Sequence, residues 1–172
     1  MKHVYKILLI MVAVLTLAAC GGGNSVSKTN ESDAEESNKV LGLGETAVQE
    51  GTAGTIAITP HSVEIIESHD DILPSVGVFV IIDITIENKG DQTVDSSGFT
   101  RGSLVDESGI SLNTTVYDFV DRIEGDIEPG EAVSGQIIID HIESPYYELV
   151  FGAGLSSVVN EIRWGFSTDE AK

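Results

Sequence analysis

The stretch that most constrains the fold is 76–88, where β-branched residues occupy every second position. These positions are Val78, Val80, Ile82, Ile84 and Ile86. A period of two in β-branched residues is typical of a strand with one face in a core. The intervening positions begin apolar and end polar, so we expect one end of the strand to be covered on both faces. Turn residues follow at 88–91, and we therefore predict the central strand of an all-β domain.

Similar alternating segments, separated by turn residues, continue through 40–167. They predict seven to nine short strands at intervals of roughly 8–15 residues, the spacing of a two-sheet antiparallel sandwich of immunoglobulin type. Pro60 interrupts one strand, which suits an edge or a bend. The chain has one cysteine, so the sandwich lacks the inter-sheet disulfide. We expect the polar residues 168–172 to form a disordered tail.

The first 19 residues have the features of a secretory signal peptide. Lys2 and Lys6 precede the apolar run 7–19, which ends in small residues. A membrane-spanning helix needs roughly 20 apolar residues, so this run is short for a span. A basic start followed by a short apolar run predicts export from the cytoplasm.

The run ends in Leu17-Ala18-Ala19-Cys20, which resembles the bacterial lipobox. We predict that Leu17, Ala18 and Ala19 are recognised by the signal peptidase and that the thiol of Cys20 accepts the lipid. Two or three acyl chains at ~0.8 kcal/mol per buried CH₂ give a stable anchor. The expected location is the extracytoplasmic face of the cell membrane. The alternative is an ordinary signal peptide with an unused cysteine.

Residues 20–39 contain the predicted lipidated cysteine and then a polar, acidic stretch with little to bury. We expect this linker to be disordered and flexible, spanning on the order of 25 Å. The formal net charge is −19. Removing Lys2 and Lys6 leaves 7 basic against 28 acidic residues, a net charge of −21. This excess disfavours nucleic acid as a partner, and it disfavours lying flat on an anionic membrane.

Three stretches, 80–91, 104–109 and 127–137, resemble motifs of one bacterial family. They are similar to the hydrophobic strand ending in Asn-Lys-Gly, the Asp-x-x-Gly turn and the Pro-Gly-Glu…Gly strand of uncharacterised lipoprotein domains related to the immunoprotective extracellular antigen. The resemblance implies an immunoglobulin-like sandwich, secreted or lipid-anchored and commonest in Gram-positive bacteria. It implies no enzyme activity and no agreed ligand. The chain departs from the family pattern at 141–144, which affects the shape of one turn.

Metal-binding patterns are weak. The histidines lack zinc-site spacing and lie beside predicted turns, where a solvated side chain is ordinary: His61, His69 and His141. Loop carboxylates are weak candidates for calcium: Asp91, Asp95, Asp118 and Asp121. Their spacing is not that of a dedicated calcium loop. We therefore expect a solvated acidic surface, with no metal site and no cofactor.

Nucleophile patterns are weak as well. The chain has no G-x-S-x-G elbow, and no base lies near Ser134 in sequence. We expect no enzyme, although paired carboxylates leave an envelope hydrolase as one alternative. A cation-stabilised structural module is another.

The expected function is a non-catalytic module that binds an unknown envelope or extracellular protein or glycan. Tyr146, Tyr147 and Trp164 are candidates for an aromatic glycan-binding patch. Trp164 alternates with Ile162 and Phe166, which favours a place in the core.

Overall fold

The structure, a computed structural model, describes residues 39–52, 54–153 and 159–172. The predicted signal peptide, the lipobox with Cys20 and the linker up to residue 38 lie outside the described residues. No helix in the described part of the chain is long and apolar enough to cross a membrane.

Strands dominate the described residues, and two short 3₁₀ helices, Ser96–Gly98 and Thr168–Glu170, accompany them. The strands in chain order are β1 (Val40–Leu41), β2 (Ala47–Gly51), β3 (Gly54–Ile66), β4 (Val78–Asn88), β5 (Val94–Asp95), β6 (Ser103–Asp106), β7 (Ser111–Asn113), β8 (Asp126–Ile127), β9 (Ala132–His141), β10 (Tyr146–Phe151) and β11 (Ile162–Ser167). One sheet has the order β1-β11-β10-β6-β7, a second has the order β2-β3-β4-β9, and β5 pairs with β8. The predicted all-β, immunoglobulin-like sandwich is confirmed.

Strand β4 lies between β3 and β9, as its sequence predicts. Its five β-branched positions face the main core and are almost completely buried. On the opposite face, Phe79 and Ile81 belong to a second apolar cluster with Val120 and Ile138. The prediction that one end of this strand is covered on both faces is confirmed.

The main core joins the two large sheets through aliphatic residues of β3, β4 and β9 and aromatic residues of β10 and β11. Trp164 is fully buried, and its indole Nε1 donates a hydrogen bond of 2.9 Å to the carbonyl oxygen of Glu45. Both clusters are built from residues 41–171. The part of the chain from Lys39 to Lys172 therefore carries its own core, which is what independent folding requires.

Pro60 lies at a β-bulge, where the pairing of β3 with β4 shifts between Pro60 and Ser62. The neighbouring strand β2 does not reach this part of β3, because the pairing of the two strands stops where Ala47, the first residue of β2, pairs with Ile58. Beyond that point β3 is an edge strand, so the missing N–H of proline costs no ladder hydrogen bond.

Three loops gather at one end of the sandwich, which we call the loop end: 67–77, 107–110 and 142–145. The backbone N–H of Glu107 points to the hydroxyl of Ser144 at 3.4 Å, and the N–H of Val76 donates to the carboxylate of Asp140 at 3.0 Å. Strand β11 runs toward this end and finishes at Ser167, which pairs with Tyr146. Strand β1 is parallel to β11, so the chain enters the sandwich from the opposite end.

The C-terminal residues 168–172 are ordered, which corrects the expected disordered tail. Ser167 and Glu170 form a capping box around the 3₁₀ helix Thr168–Glu170. The backbone N–H of Lys172 donates to the carbonyl oxygen of Val63 at 2.9 Å, and Ala171 packs against the core. Although these residues are polar, they contain a Ser-x-x-Glu capping signature, whose local hydrogen bonds hold the segment in a 3₁₀ helix.

Candidate functional site

The four candidate calcium ligands, Asp91, Asp95, Asp118 and Asp121, are exposed. Asp95 caps the 3₁₀ helix Ser96–Gly98 by accepting a hydrogen bond of 2.8 Å from the N–H of Ser97. Hydrogen bonds from the hydroxyl and the N–H of Ser97 hold the pKa of Asp95 below its usual value. In the part of the chain that the structure describes, no three Asp, Glu, His or Cys side chains converge as a metal site would require.

His141 was expected beside a solvated turn, and that expectation is wrong, because the residue is fully buried at the end of β9. Its Nε2 lies 3.0 Å from the carbonyl oxygen of Leu104, and its Nδ1 lies 3.1 Å from that of Ile142. The ring also meets that of Tyr147 edge-on, with the centroids 5.4 Å apart. His141 therefore fastens β9 to β6 and has a structural role.

Ser134 has a neighbour that its sequence context did not reveal. The hydroxyls of Ser134 and Thr85 are 2.8 Å apart, and Nε2 of His61 lies 2.8 Å from the same Thr85 hydroxyl. All three side chains stand on the outward face of the four-stranded sheet. The imidazole contacts threonine rather than serine, so this chain of hydrogen bonds does not form the serine–histidine contact that activates a nucleophile.

Asp83 is the centre of a second polar group on the same face. Its carboxylate accepts hydrogen bonds from the Ser62 hydroxyl and from the side-chain amide of Gln136, the latter at 2.9 Å. Partial burial raises the pKa of Asp83, but these two hydrogen bonds, with the nearby Lys172 and His61, outweigh it and leave the pKa lowered. The carboxylate therefore stays ionised at neutral pH and is unsuited to general acid catalysis.

The proposed aromatic patch of Tyr146, Tyr147 and Trp164 does not exist on the surface, because Tyr147 and Trp164 are fully buried. The hydroxyl of Tyr147 accepts from the N–H of Ser144 and donates to the carbonyl oxygen of Ile142, each at 2.8 Å. Burial raises the pKa of Tyr147. Placing Trp164 in the core is correct, and the alternating pattern of β11 was the reliable signal.

A groove of about 790 Å³ opens along the flank of the sandwich. Its walls include the segment 95–103, the edge of β9 and residues 113–125, of which 114–125 is named here the flank loop. The flank loop is held on β9 because the N–H of Gln136 donates to the carbonyl oxygen of Asp121 at 2.6 Å and the Gln136 side chain accepts from the Asp121 N–H at 3.1 Å. The size suits a small ligand or a short peptide segment.

Two of the three arginines in the chain, Arg101 and Arg122, line this groove. Arg122 pairs with Glu124, and the charge of Arg101 contributes to the lowered pKa of Asp95. The formal charges of these four lining residues cancel. The charged residues of the groove are therefore balanced on a strongly acidic protein, and the rest of the lining mixes polar and apolar side chains, which does not favour a polyanion.

The loop end carries most of the large apolar side chains that face solvent. Five of eight such exposed residues in the described chain lie there: Ile72, Leu73, Val76, Ile110 and Ile142. Leu73 is 72% exposed and Val76 is 52% exposed. The segment Ile72-Leu73-Pro74 places apolar residues in the middle of an otherwise mostly polar loop. A concentration of exposed apolar side chains marks candidate contact surfaces.

No curated protein matches the sequence. The fold is similar to MPT63, a secreted protein from Mycobacterium tuberculosis, with a TM-score of 0.54 and 15% identity over 73% of this chain and 95% of that chain. It is also similar to an uncharacterised β-sandwich protein from Clostridium difficile 630, with a TM-score of 0.50 and 17% identity over 75% and 94% of the two chains.

A further neighbour is a Bacillus subtilis protein, ycdA, assigned as a lipoprotein, with a TM-score of 0.53 and 11% identity over 73% of this chain but only 40% of that chain. At these identities the neighbours show the fold alone. They agree with the resemblance that the three sequence motifs indicated. The family described as domain of unknown function DUF4352 matches residues 43–160, and the chain belongs to this family.

Proposed function

We propose that this protein is an envelope lipoprotein, anchored through Cys20 on the extracytoplasmic side of the cell membrane, whose sandwich acts as a non-catalytic binding module. The carrying observation is the direction of the chain: β1 enters parallel to β11, at the end opposite the loop end. The chain therefore joins the sandwich at the end opposite the loop end, which leaves the loop end open to a partner.

Several features support this proposal. The lipobox residues Leu17, Ala18 and Ala19 precede the single cysteine of the chain. Two neighbours in fold are a secreted protein and a protein assigned as a lipoprotein, in line with a place outside the cytoplasm. Among the described residues, those that line the groove include neither histidine nor cysteine. Every described carboxylate with a shifted pKa has a lowered one, which favours binding over acid–base chemistry.

The anchor is tested by replacing Cys20 with alanine in the full chain and separating membranes from soluble fractions. The unchanged protein should sediment with membranes and carry the mass of a lipid. The C20A variant should be released or should stay unprocessed, because alanine has no thiol to accept the acyl group. Ser25→Ala, a change of similar size a few residues later, is the matched control and should behave as the unchanged protein.

A C20A variant that remains membrane-bound and is processed normally would refute the anchor. Binding is tested separately by crosslinking on intact cells followed by mass spectrometry. A partner that crosslinks to loop-end positions and not to the outward face around Thr85 supports the module. An enzymatic product formed from envelope material would contradict its non-catalytic character.

A further inference from the structure

We infer that the loop end is a docking surface for a protein partner that presents an apolar patch bordered by lysine and arginine. The inference deepens the proposed function by naming the chemistry of the partner. It rests on three features of the loop end: exposed apolar side chains on a hydrogen-bonded backbone, loops whose formal charges are all negative, and a position away from the point where the chain enters the sandwich.

The backbone that carries the apolar side chains is held in place by hydrogen bonds. The carboxylate of Asp140 accepts hydrogen bonds from the backbone N–H groups of Ser75 and Val76. The turn before them is closed by two backbone hydrogen bonds between His69 and Ile72, of 3.0 and 2.9 Å. The ring of His69 stacks on Phe119, with centroids 4.2 Å apart. A surface fixed before binding loses little conformational entropy when a partner docks.

Neighbouring loops extend the surface. A Cβ added at Gly77 would lie 2.8 Å from the carbonyl oxygen of His141 and 3.2 Å from Cα of Ile142, so loop 67–77 lies against loop 142–145. Loop 107–110 approaches the same place through the contact of Glu107 with Ser144. Three segments far apart in sequence thus meet at the loop end, and each carries at least one exposed apolar side chain.

The border of this surface has one sign of charge. The three loops contain five acidic residues and neither lysine nor arginine: Glu67, Asp70, Asp71, Glu107 and Glu143. Carboxylates around an apolar centre favour a partner with the opposite charge at its rim. The same carboxylates repel a second copy of this acidic chain and an anionic membrane.

The test uses the soluble part, residues 39–172, so its result does not depend on the lipid anchor. The probe is a fluorescent 18-residue amphipathic helix of leucine and lysine, with binding followed by fluorescence anisotropy. Two further probes separate the contributions: a lysine–serine peptide of equal charge and a leucine–glutamate peptide of equal apolarity. We expect the leucine–lysine probe to bind at least about tenfold more tightly than either, and less tightly at high salt.

The double variant Leu73→Ser/Val76→Ser should weaken that binding by about tenfold or more. Val116→Ser is the matched control, because Val116 is 64% exposed but belongs to the flank loop. It should leave binding unchanged. Both sets of side chains face solvent, so thermal unfolding should confirm that all variants remain folded.

Several outcomes would overturn the inference. One is equal binding by the double variant and the unchanged domain, which would place the probe elsewhere. Another is equal binding of the lysine–serine probe, which would reduce the effect to net charge. Cosedimentation of the domain with phosphatidylcholine vesicles, lost in the double variant, would assign the loop end to lipid instead of protein.

Discussion

Replacing Gly135 with alanine tests how the flank loop is held on β9. A Cβ at this position would lie 2.6 Å from the carbonyl oxygen of Asp121 and 2.7 Å from Cγ1 of Ile123. Ordinary contact begins near 3.4 Å, so the loop must retreat by about 0.8 Å. Overpacking of this kind costs about 1–3 kcal/mol.

Detaching the loop altogether would cost more than this shift. Detachment breaks two hydrogen bonds between Asp121 and Gln136, worth about 0.5–1.5 kcal/mol each, and exposes Ile123, worth about 1.5–3 kcal/mol. The loop therefore stays attached to β9 after this small shift, and the strain appears as lost stability. For a domain of this size we expect the Tm to fall by roughly 4–12 °C.

Calorimetry on residues 39–172 measures this effect, with Gly98→Ala as the control. No heavy atom lies within 4 Å of a Cβ added at Gly98, so the control should be neutral or stabilised by about 0.4–1 kcal/mol. If G135A melts at the same temperature as G98A, the flank loop does not rest on β9 and the steric reasoning fails.

Three other substitutions test separate parts of the structure. His141→Leu should lower the free energy of unfolding by about 1–3 kcal/mol, because it removes the donor facing the carbonyl of Leu104. An unchanged free energy of unfolding in a denaturant titration would contradict the role given to this ring. A hydrogen bond from the Ser108 hydroxyl holds the pKa of Asp106 low in the folded protein. The ionised carboxylate therefore stabilises the fold above the pKa of the unfolded chain, near 4, and this stabilisation is lost as the pH falls through the pKa of the folded protein. Denaturant titrations from pH 7 to pH 2 should therefore show Asp106→Asn less stable at neutral pH and converging with the unchanged domain in acid, whereas parallel curves would refute the assignment. The side-chain amide of Asn160 hydrogen-bonds backbone groups at the edge of β2. Asn160→Ala should free these groups and permit edge-to-edge association that increases with concentration in analytical ultracentrifugation. A strictly monomeric variant would count against this protective role.

Much of the fold could be predicted from the sequence because β4 has an unambiguous period of two. In β4 the alternating residues have no competing helical interpretation, and the structure buries them as predicted. The burial of His141 had the same kind of signal. It follows Ile137 and Ile139 at the next inward position of β9, so the strand period places it in the core, although its polarity suggested a solvated turn.

The loop end could not be assembled from the sequence. Ile72, Ile110 and Ile142 lie in three separate loops, and only the sheet topology brings those loops together. The flank loop was equally hidden, because its position depends on the missing side chain of Gly135 as much as on its own residues. Local patterns identified the strands, whereas surfaces made by several loops required their relative placement.

The parallel pairing of β1 with β11 has a mechanical consequence. Only Val40 and Leu41 form this pairing, opposite Arg163 and Trp164. A pull on the preceding chain, resisted by a partner at the loop end, acts along the strand direction and loads these hydrogen bonds in shear. The force then reaches Trp164, which is fully buried in the main core, so the sandwich resists extension along its length through a core aromatic residue.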